Sequence, residues 1–180
     1  MNLRHAARFL VLAAAIWGTF LGRAAASDMI GISLPAFPNR GQIPPKYART
    51  HDNISPPLGV LDIISGPSFI KSFVLIVDDP DAPGGLFAHW LVWNIPVDHA
   101  QFPEGGLPPG AVQGKNSFGD THYDGPAPPN GKHRYFFHLY GLDTMLSLPA
   151  GSDRGALEAA MKGHIVAQAP KFYGTFATGQ

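Results

Sequence analysis

Three segments of the chain carry nearly continuous apolar and aromatic residues, without the polar alternation of a half-exposed strand. They are residues 72–79 (SFVLIVDD), 89–95 (HWLVWNI) and 133–143 (HRYFFHLYGLD). Short apolar runs rich in β-branched and aromatic residues predict strands that are buried on both faces. We therefore expect these segments to form the centre of a sheet, with the proline-broken segments before them as edge strands and corners.

A helical period occurs once, in the C-terminal part of the chain. Asp153 offers an N-cap, apolar residues then recur three and four positions apart up to Gln168, and Pro170 follows. The spacing predicts a helix that ends near Gln168 and packs its apolar stripe on the sheet. On this stripe, His164 is expected to be a packed, hydrogen-bonded histidine.

The composition is typical of a compact protein with many turns. Of 180 residues, 45% are hydrophobic, and 21 Gly and 18 Pro punctuate the apolar runs. This chain is too apolar to be disordered and long enough for one domain with a sizeable core. Together with the predicted strands and helix, this indicates a mainly β fold, a strand-rich α+β domain.

Charge and cysteine content exclude several classes of function. The formal net charge is zero, and the chain contains no Cys. Removal of the N-terminal segment 1–26, which contains Arg4, Arg8 and Arg23 and no acidic residue, would leave ten basic and thirteen acidic side chains, a net charge of −3, so we expect no nucleic-acid partner. Without cysteine, disulfides and thiol chemistry are excluded, and the stability of the fold must come from packing.

The N-terminal segment has the residue order of a secretory signal peptide. Arg4 and Arg8 precede the apolar run 9–21, and three alanines close the segment. The run is shorter than the roughly 20 apolar residues of a membrane-spanning helix. We predict cleavage after Ala26, a single mature domain of residues 27–180, and a periplasmic or secreted location.

Residues 104–132 show no periodicity of either kind. Loops longer than about 12–15 residues without their own secondary structure are uncommon in compact domains and are often functional. Because this segment returns directly into the predicted strand 133–143, we expect it to form one wall of a pocket.

Charged and aromatic side chains collect where the predicted strands end. If the first two strands form a hairpin, Asp79 and His89 lie at the same end of the sheet. The period of two places His89 on the face of Leu91, and His133 on the face of Tyr135. Two histidines, a carboxylate and a phenol are therefore expected to converge at one edge.

A purely structural interpretation of the acidic turn stays open. Asp78 and Asp81 flank Pro80, and such residues commonly accept hydrogen bonds in Asx turns or caps. Four further histidines have no partner that can be identified from the sequence and are expected at the surface or in satisfied core positions. They are His51, His99, His122 and His138.

Five blocks of the sequence together form a recognisable pattern. They are NISPPL (53–58), SFVLIVDDPDAP (72–83), HWLVWNIP (89–96), YDGPAPPNGKHRYFFHLYGLD (123–143) and MKGHIVAQA (161–169). In order and spacing, the blocks resemble the phosphatidylethanolamine-binding protein family, in its bacterial branch of Raf kinase inhibitor-like proteins. The resemblance spans nearly the whole mature chain, and the DPDAP and GPxPPxGxHRY motifs are specific in combination.

The resemblance implies a large central antiparallel sheet with a smaller sheet and a helix, and a small pocket that takes phosphate-like anions. In that pocket, Asp79 and Asp81 would shape the mouth and hold His89 as a hydrogen-bond donor, or meet a ligand amine. The backbone N–H of Ala127 would face the ligand. The ligand-binding residues implied by the resemblance are Asp79, Asp81, His89, Ala127, Pro128, Pro129, His133 and Tyr135.

The function implied by the resemblance is that of an exported binding or inhibitory protein. Its ligand would carry a phosphoryl or carboxylate group, such as a phospholipid headgroup, and its protein target would be a protease or a kinase. No cofactor, no metal and no catalytic residue are predicted. Because a carboxylate neighbour favours protonated histidine, we expect the pKa of His89 to be raised and anion binding to strengthen as pH falls.

Two alternatives remain open at this point. His89 and His133 could act as general acid and base in the hydrolysis of a phosphoester, although the chain has no nucleophile elbow or P-loop motif. Asp79, Asp81, His89 and His133 could instead bind Zn²⁺ or a similar ion, although they lack the compact spacing typical of zinc sites.

Overall fold

The computed structural model describes residues 30–62 and 69–179. The predicted signal peptide lies outside these residues. Within them, no helix is long and apolar enough to cross a membrane. The elements in chain order are β1 (Ile30–Ser33), a 3-10 turn (Pro45–Tyr47), β2 (Leu58–Asp62), β3 (Ser72–Asp79), β4 (Phe87–Ile95), β5 (Gln101–Phe102), β6 (Val112–Gln113), β7 (Lys132–Leu142), α1 (Arg154–Met161), β8 (Ile165–Gln168) and β9 (Phe172–Ala177).

Two antiparallel sheets make up the fold. In the large sheet β3 lies at the centre between β4 and β7, β6 borders β4, and β7 pairs with both β8 and β9. The small sheet has the strand order β1-β2-β5. Among the described residues, α1 is the one α-helix. The predicted fold class, mainly β with a large antiparallel sheet, a smaller sheet and a helix, is confirmed.

All three predicted core strands are present, and β4 and β7 begin slightly earlier than the apolar pattern indicated. Every residue of β3 is buried. The full burial predicted for β7 is wrong, because Phe136, His138 and Tyr140 are only half-buried on one face. That face lies beside the short helix, whose buried residues Leu157 and Met161 pack mainly against β3 and β4.

The helix is shorter than predicted. It begins after the N-cap Asp153, as expected, but ends at Met161. Gly163 then adopts a left-handed conformation (φ 85°), which stops the helix, and the following residues form β8 against β7. His164 lies exposed in this turn, and its Nδ1 is 2.8 Å from Asp143 Oδ1. The predicted hydrogen bond of His164 is therefore present, but the prediction that His164 packs on the sheet is wrong.

The large sheet separates two apolar clusters. One face carries Val77, Trp90 and Tyr135 and packs against the small sheet. The opposite face carries Ile76 and Leu91 and packs against α1. Because consecutive strand residues point to opposite faces, side chains that are neighbours in sequence reach different environments.

Candidate functional site

His89 reaches the site because strand β4 contains a β-bulge. Val77 pairs with Trp90, but the residue after Val77 pairs with Ala88, so His89 is an extra residue in the ladder. The bulge places the His89 ring on the Trp90 face of the sheet, against Tyr135. The prediction that His89 shares a face with Leu91 is wrong, because one inserted residue reverses the alternation.

The ring of His89 is buried among aromatic side chains. Its centroid lies 5.3, 5.6 and 5.1 Å from those of Phe87, Phe118 and Tyr135, and the residue is 3% exposed. Nδ1 lies 2.8 Å from the backbone carbonyl oxygen of Asp124. Because a carbonyl oxygen only accepts, Nδ1 carries the hydrogen, and Nε2 of the neutral ring keeps a free lone pair.

Burial lowers the pKa of His89 below its ordinary value. The Asp124 carbonyl and the Asp79 carboxylate favour the protonated ring, but they offset only part of this effect. The expectation of a raised pKa is therefore wrong, because it counted the carboxylate and not the burial. At neutral pH the ring is neutral, and its Nε2 is a hydrogen-bond acceptor. It donates a hydrogen bond only after taking up a proton.

Asp79 holds His133 and not His89. Its Oδ2 accepts a hydrogen bond from His133 Nδ1 at 2.7 Å, and its Oδ1 accepts one from the Asp81 N–H at 2.8 Å. Both side chains are almost fully buried. The expectation that Asp79 and Asp81 hold His89 is therefore wrong, since the backbone of Asp124 performs that role.

The hydroxyl group of Tyr135 has unused hydrogen-bonding capacity. The residue is 1% exposed, and among the described residues its hydroxyl has no hydrogen-bond partner. Burial, and next the Asp79 carboxylate, raise the pKa of Tyr135 far above its ordinary value, so the hydroxyl keeps its proton. A buried polar group without a partner costs about 1–3 kcal/mol. The Tyr135 ring that carries this donor lies against the His89 ring.

Asp81 is engaged by Arg134 at the rim of the site. The guanidinium donates to both carboxylate oxygens, at 2.8 and 2.6 Å, and the Arg134 backbone N–H adds a third bond of 3.0 Å. The Arg134 side chain holds the pKa of Asp81 below its usual value. Asp81 thus fastens the acidic turn to β7, and its charge is already matched.

The proline-rich wall borders the site only in part. Ala127 and Pro128 line a surface depression of ≈ 370 Å³. Asp81 and His133 line a second depression of ≈ 680 Å³, which is open to solvent. Pro129 is exposed, and neither Pro129, His89 nor Tyr135 lines either of these depressions.

Asp124 is a site residue that the sequence interpretation missed. Its carboxylate is buried and accepts hydrogen bonds from Arg49, Asn53 and Asn116 at 3.1, 3.0 and 2.8 Å. Burial raises the pKa of Asp124, but these three donors outweigh burial, and the pKa lies below its ordinary value. The backbone N–H also donates to His89 O at 3.1 Å. The YDGP motif contains this residue, but nothing in the motif indicates which strand it contacts.

The four residues of the alternative metal site do not gather their ligand atoms at one point. Asp79 and His133 are paired with each other, Asp81 is paired with Arg134, and Nδ1 of His89 is bound to a backbone carbonyl. In the described part of the chain, these four side chains do not form a group of three or more within metal-binding distance. The structure thus does not support this alternative.

The fold and the site together define a strand-rich binding domain with a buried aspartate–histidine pair, a histidine in a β-bulge and a buried tyrosine hydroxyl that has no partner in the described part of the chain. The family model for phosphatidylethanolamine-binding protein matches residues 33–176. The chain therefore belongs to the phosphatidylethanolamine-binding protein family, as the sequence motifs had predicted.

Individual relatives and solved structures agree with this assignment. A UPF0098 protein of Methanothermobacter thermautotrophicus is 45% identical over 149 residues, which cover 80% of this chain and 96% of that protein. The crystal structure of the putative phosphatidylethanolamine-binding protein homolog CT736 from Chlamydia trachomatis is similar, with a TM-score of 0.77 and 40% identity. It covers 84% of this chain and 99% of that one. The crystal structure of E. coli YbcL, a member of the mammalian PEBP family, is also similar, with a TM-score of 0.74 and 27% identity. The match covers 82% of this chain and 98% of YbcL.

Proposed function

We propose that this protein is an exported binding protein whose site around His89 and Tyr135 takes a small ligand with a phosphoryl or carboxylate group. The observation that carries the proposal is the buried Tyr135 hydroxyl, which has no hydrogen-bond partner among the described residues. A ligand oxygen would supply the missing acceptor and recover the cost of leaving this group unpaired.

The neighbouring groups suit a phosphoryl group that carries one proton. Neutral His89 offers the lone pair of Nε2, which accepts a hydrogen bond from a ligand hydroxyl. Tyr135 offers a donor to another ligand oxygen, and the Ala127 N–H lies next to the Tyr135 hydroxyl. Asp79 supplies a negative charge close by, which would favour an amine on the same ligand. A phospholipid headgroup of the phosphorylethanolamine type combines these features.

The proposal extends to location and partners. The residue order of the first 26 positions supports export, and N-terminal sequencing of the protein from its native compartment should begin at Ser27. An intact Met1 in that sample would count against export. The family also suggests a protease or kinase as a protein target, and outside the cytoplasm a protease is the more suitable of the two.

A pair of matched tyrosine variants tests the binding site. Tyr123 and Tyr135 are both buried, but the Tyr123 hydroxyl donates to the Tyr47 carbonyl at 2.9 Å. Tyr123→Phe should therefore destabilise the fold by about 1–2 kcal/mol and leave ligand affinity unchanged. Tyr135→Phe should leave stability unchanged or raise it, and should weaken ligand binding about fivefold.

The measurements are urea unfolding of both variants and calorimetric titration with phosphorylethanolamine, inorganic phosphate and acetate. Binding of phosphorylethanolamine alone would indicate the headgroup, whereas binding of all three would indicate a general anion site. Equal affinities of wild type and Tyr135→Phe for every ligand would contradict the proposal. Turnover of a phosphoester by the wild type, lost in His89→Ala, would instead favour the hydrolase alternative.

A further inference from the structure

A second cluster of ligating side chains lies in the loop that precedes β7, outside the site described above. Asp120, His122 and Asp124 stand at alternate positions of the sequence DTHYD. One oxygen or nitrogen atom of each lies within 4.8 Å of the others. We propose that these three side chains bind a divalent transition-metal ion, with Zn²⁺ as the type case.

The three ligands are held together by one buried amide side chain. Asn116 Nδ2 donates to Asp124 Oδ2 at 2.8 Å and to the His122 carbonyl at 3.0 Å. Asn116 Oδ1 accepts from the Asp120 N–H at 3.1 Å, and the Asn116 N–H donates to the Asp120 carbonyl at 2.8 Å. Because these bonds fix the backbone at Asp120 and His122 and the carboxylate of Asp124, only the side-chain rotamers of Asp120 and His122 remain to be ordered on metal binding.

The Asp124 carboxylate still has room for a metal ion. Arg49 and Asn53 donate to Oδ1, whereas Oδ2 accepts the one hydrogen bond from Asn116. An ionised carboxylate oxygen has two lone-pair sites, so Oδ2 retains one. The outer partners fix the carboxylate, in the way that the second shell of a metal site orients its ligands.

The chemistry of the ligands indicates the class of ion. One imidazole and two carboxylates match the nitrogen and oxygen ligands of Zn²⁺, at bond lengths of about 2.0–2.2 Å. Ca²⁺ requires six to eight oxygen ligands, and the Arg49 guanidinium already offsets one of the two carboxylate charges. A borderline cation that binds imidazole is therefore favoured over Ca²⁺ or Mg²⁺. His122 is exposed, so the ion can enter from solvent and keep water ligands.

The position of the cluster connects it to the ligand site. The carbonyl of Asp124 accepts the hydrogen bond that orients His89, and the side chain of Asp124 would be a metal ligand. A bound ion would therefore fix the segment that positions His89. The metal proposal does not depend on the proposed anion binding, since it uses a different set of side chains.

The test uses full-length protein without an affinity tag, stripped with a chelator and titrated with Zn²⁺ by calorimetry and with Co²⁺ by visible absorption. His122→Ala and Asp120→Asn each remove one ligand outside the core. His99→Ala is the matched control, because His99 is an exposed histidine whose Nε2 lies 3.6 Å from an Asp98 carboxylate oxygen. We expect one ion per wild-type chain, binding at least about tenfold weaker in both loop variants, and unchanged binding in the control.

Thermal melting in the absence of metal checks that each variant folds, and Zn²⁺ should raise the melting temperatures of the wild type and of His99→Ala by more than those of His122→Ala and Asp120→Asn. Three outcomes would overturn the proposal. They are no saturable Zn²⁺ binding by the wild type, full binding by His122→Ala, and an equal loss of binding in His99→Ala.

Discussion

Asp78 and Asp79 are neighbours in strand β3 and are about equally buried, at 2% and 3% exposed, but they lie on opposite faces of the large sheet. Asp78 faces α1, where Arg154 Nη1 donates to it at 2.7 Å and His138 Nε2 lies 3.3 Å away. Asp79 faces the small-sheet side, where His133 binds it and the Tyr135 hydroxyl has no partner within residues 30–62 and 69–179.

This difference shows that burial of a charged residue does not by itself identify a binding site. On the helix face, Arg154 and His138 satisfy the Asp78 carboxylate, and Arg154 is in turn bound by Glu158. On the other face, hydrogen-bonding capacity remains unused beside the carboxylate. Among the described residues, a second buried polar group without a partner, the Trp93 indole N–H, lies on the helix face, so the candidate site is recognised by its unsatisfied hydroxyl together with the neighbouring His89.

The largest effect on stability is expected when the carboxylates of Asp78 and Asp79 are neutralised one at a time. Asp78→Asn removes the charge that compensates a half-buried guanidinium, so we expect a loss of about 3 kcal/mol in the free energy of unfolding. Asp79→Asn should cost about 1 kcal/mol, because the amide still accepts from the Asp81 N–H and can donate to the other tautomer of His133. Urea unfolding measures both.

A larger loss of stability in Asp79→Asn than in Asp78→Asn would contradict this contrast between the two faces. That result would mean that the Asp79–His133 pair stabilises the fold more than the helix-side network does. Asp78→Asn should also leave the ligand affinity of the folded protein unchanged, and calorimetry on the same samples checks this.

A second prediction concerns ligand binding through His89. His89→Ala removes a hydrogen-bonding group that becomes charge-assisted on protonation, so affinity for phosphorylethanolamine should fall by about 1.5–3 kcal/mol, or roughly ten- to a hundredfold. The ring is buried in a bulge and packs on three aromatic side chains. The variant should therefore also have a lower free energy of unfolding than the wild type. His99→Ala, at an exposed histidine, is the control for both measurements.

The pH dependence sharpens this prediction. The pKa of His89 is lowered by burial. As pH falls, His89 therefore takes up a proton at a higher pH in the unfolded chain than in the folded one. The contribution of neutral His89 to stability is therefore complete above about pH 6.5 and is lost as pH falls. Anion affinity should rise as pH falls, but only below the range of an unperturbed histidine. Identical pH profiles for wild type and His89→Ala, in melting and in binding, would refute the assignment.

The smallest effect is expected at Asp81. This carboxylate pairs with an exposed guanidinium, and Asp81→Asn keeps an acceptor for the Arg134 backbone N–H. Exposed ion pairs contribute little, so the melting temperature should fall by less than about 4 °C, and by less still at high salt. A larger fall would show that the acidic turn, and not only Asp79, is needed to hold this edge of the sheet.

The sequence alone predicted the three core strands, the N-cap and the family, because each depends on local patterns. Continuous apolar runs identified β3, β4 and β7, and Asp153 marked the start of the helix. The end of the helix was predicted wrongly, since the apolar residues after Gly163 continue a helical spacing but pair as a strand with β7. The competing ladder, which the local pattern does not contain, decides that boundary.

The composition of the site was predicted better than its connections. The motifs named Asp79, His89, His133 and Tyr135, which the fold does bring together. Which group holds which histidine was decided by tertiary structure, because the bulge at His89 reverses its face and the loop presents the Asp124 carbonyl to it. Strand alternation is a local rule that the sequence determines, whereas a bulge and a hydrogen bond between residues 35 positions apart exist only once the sheet and the loop have packed.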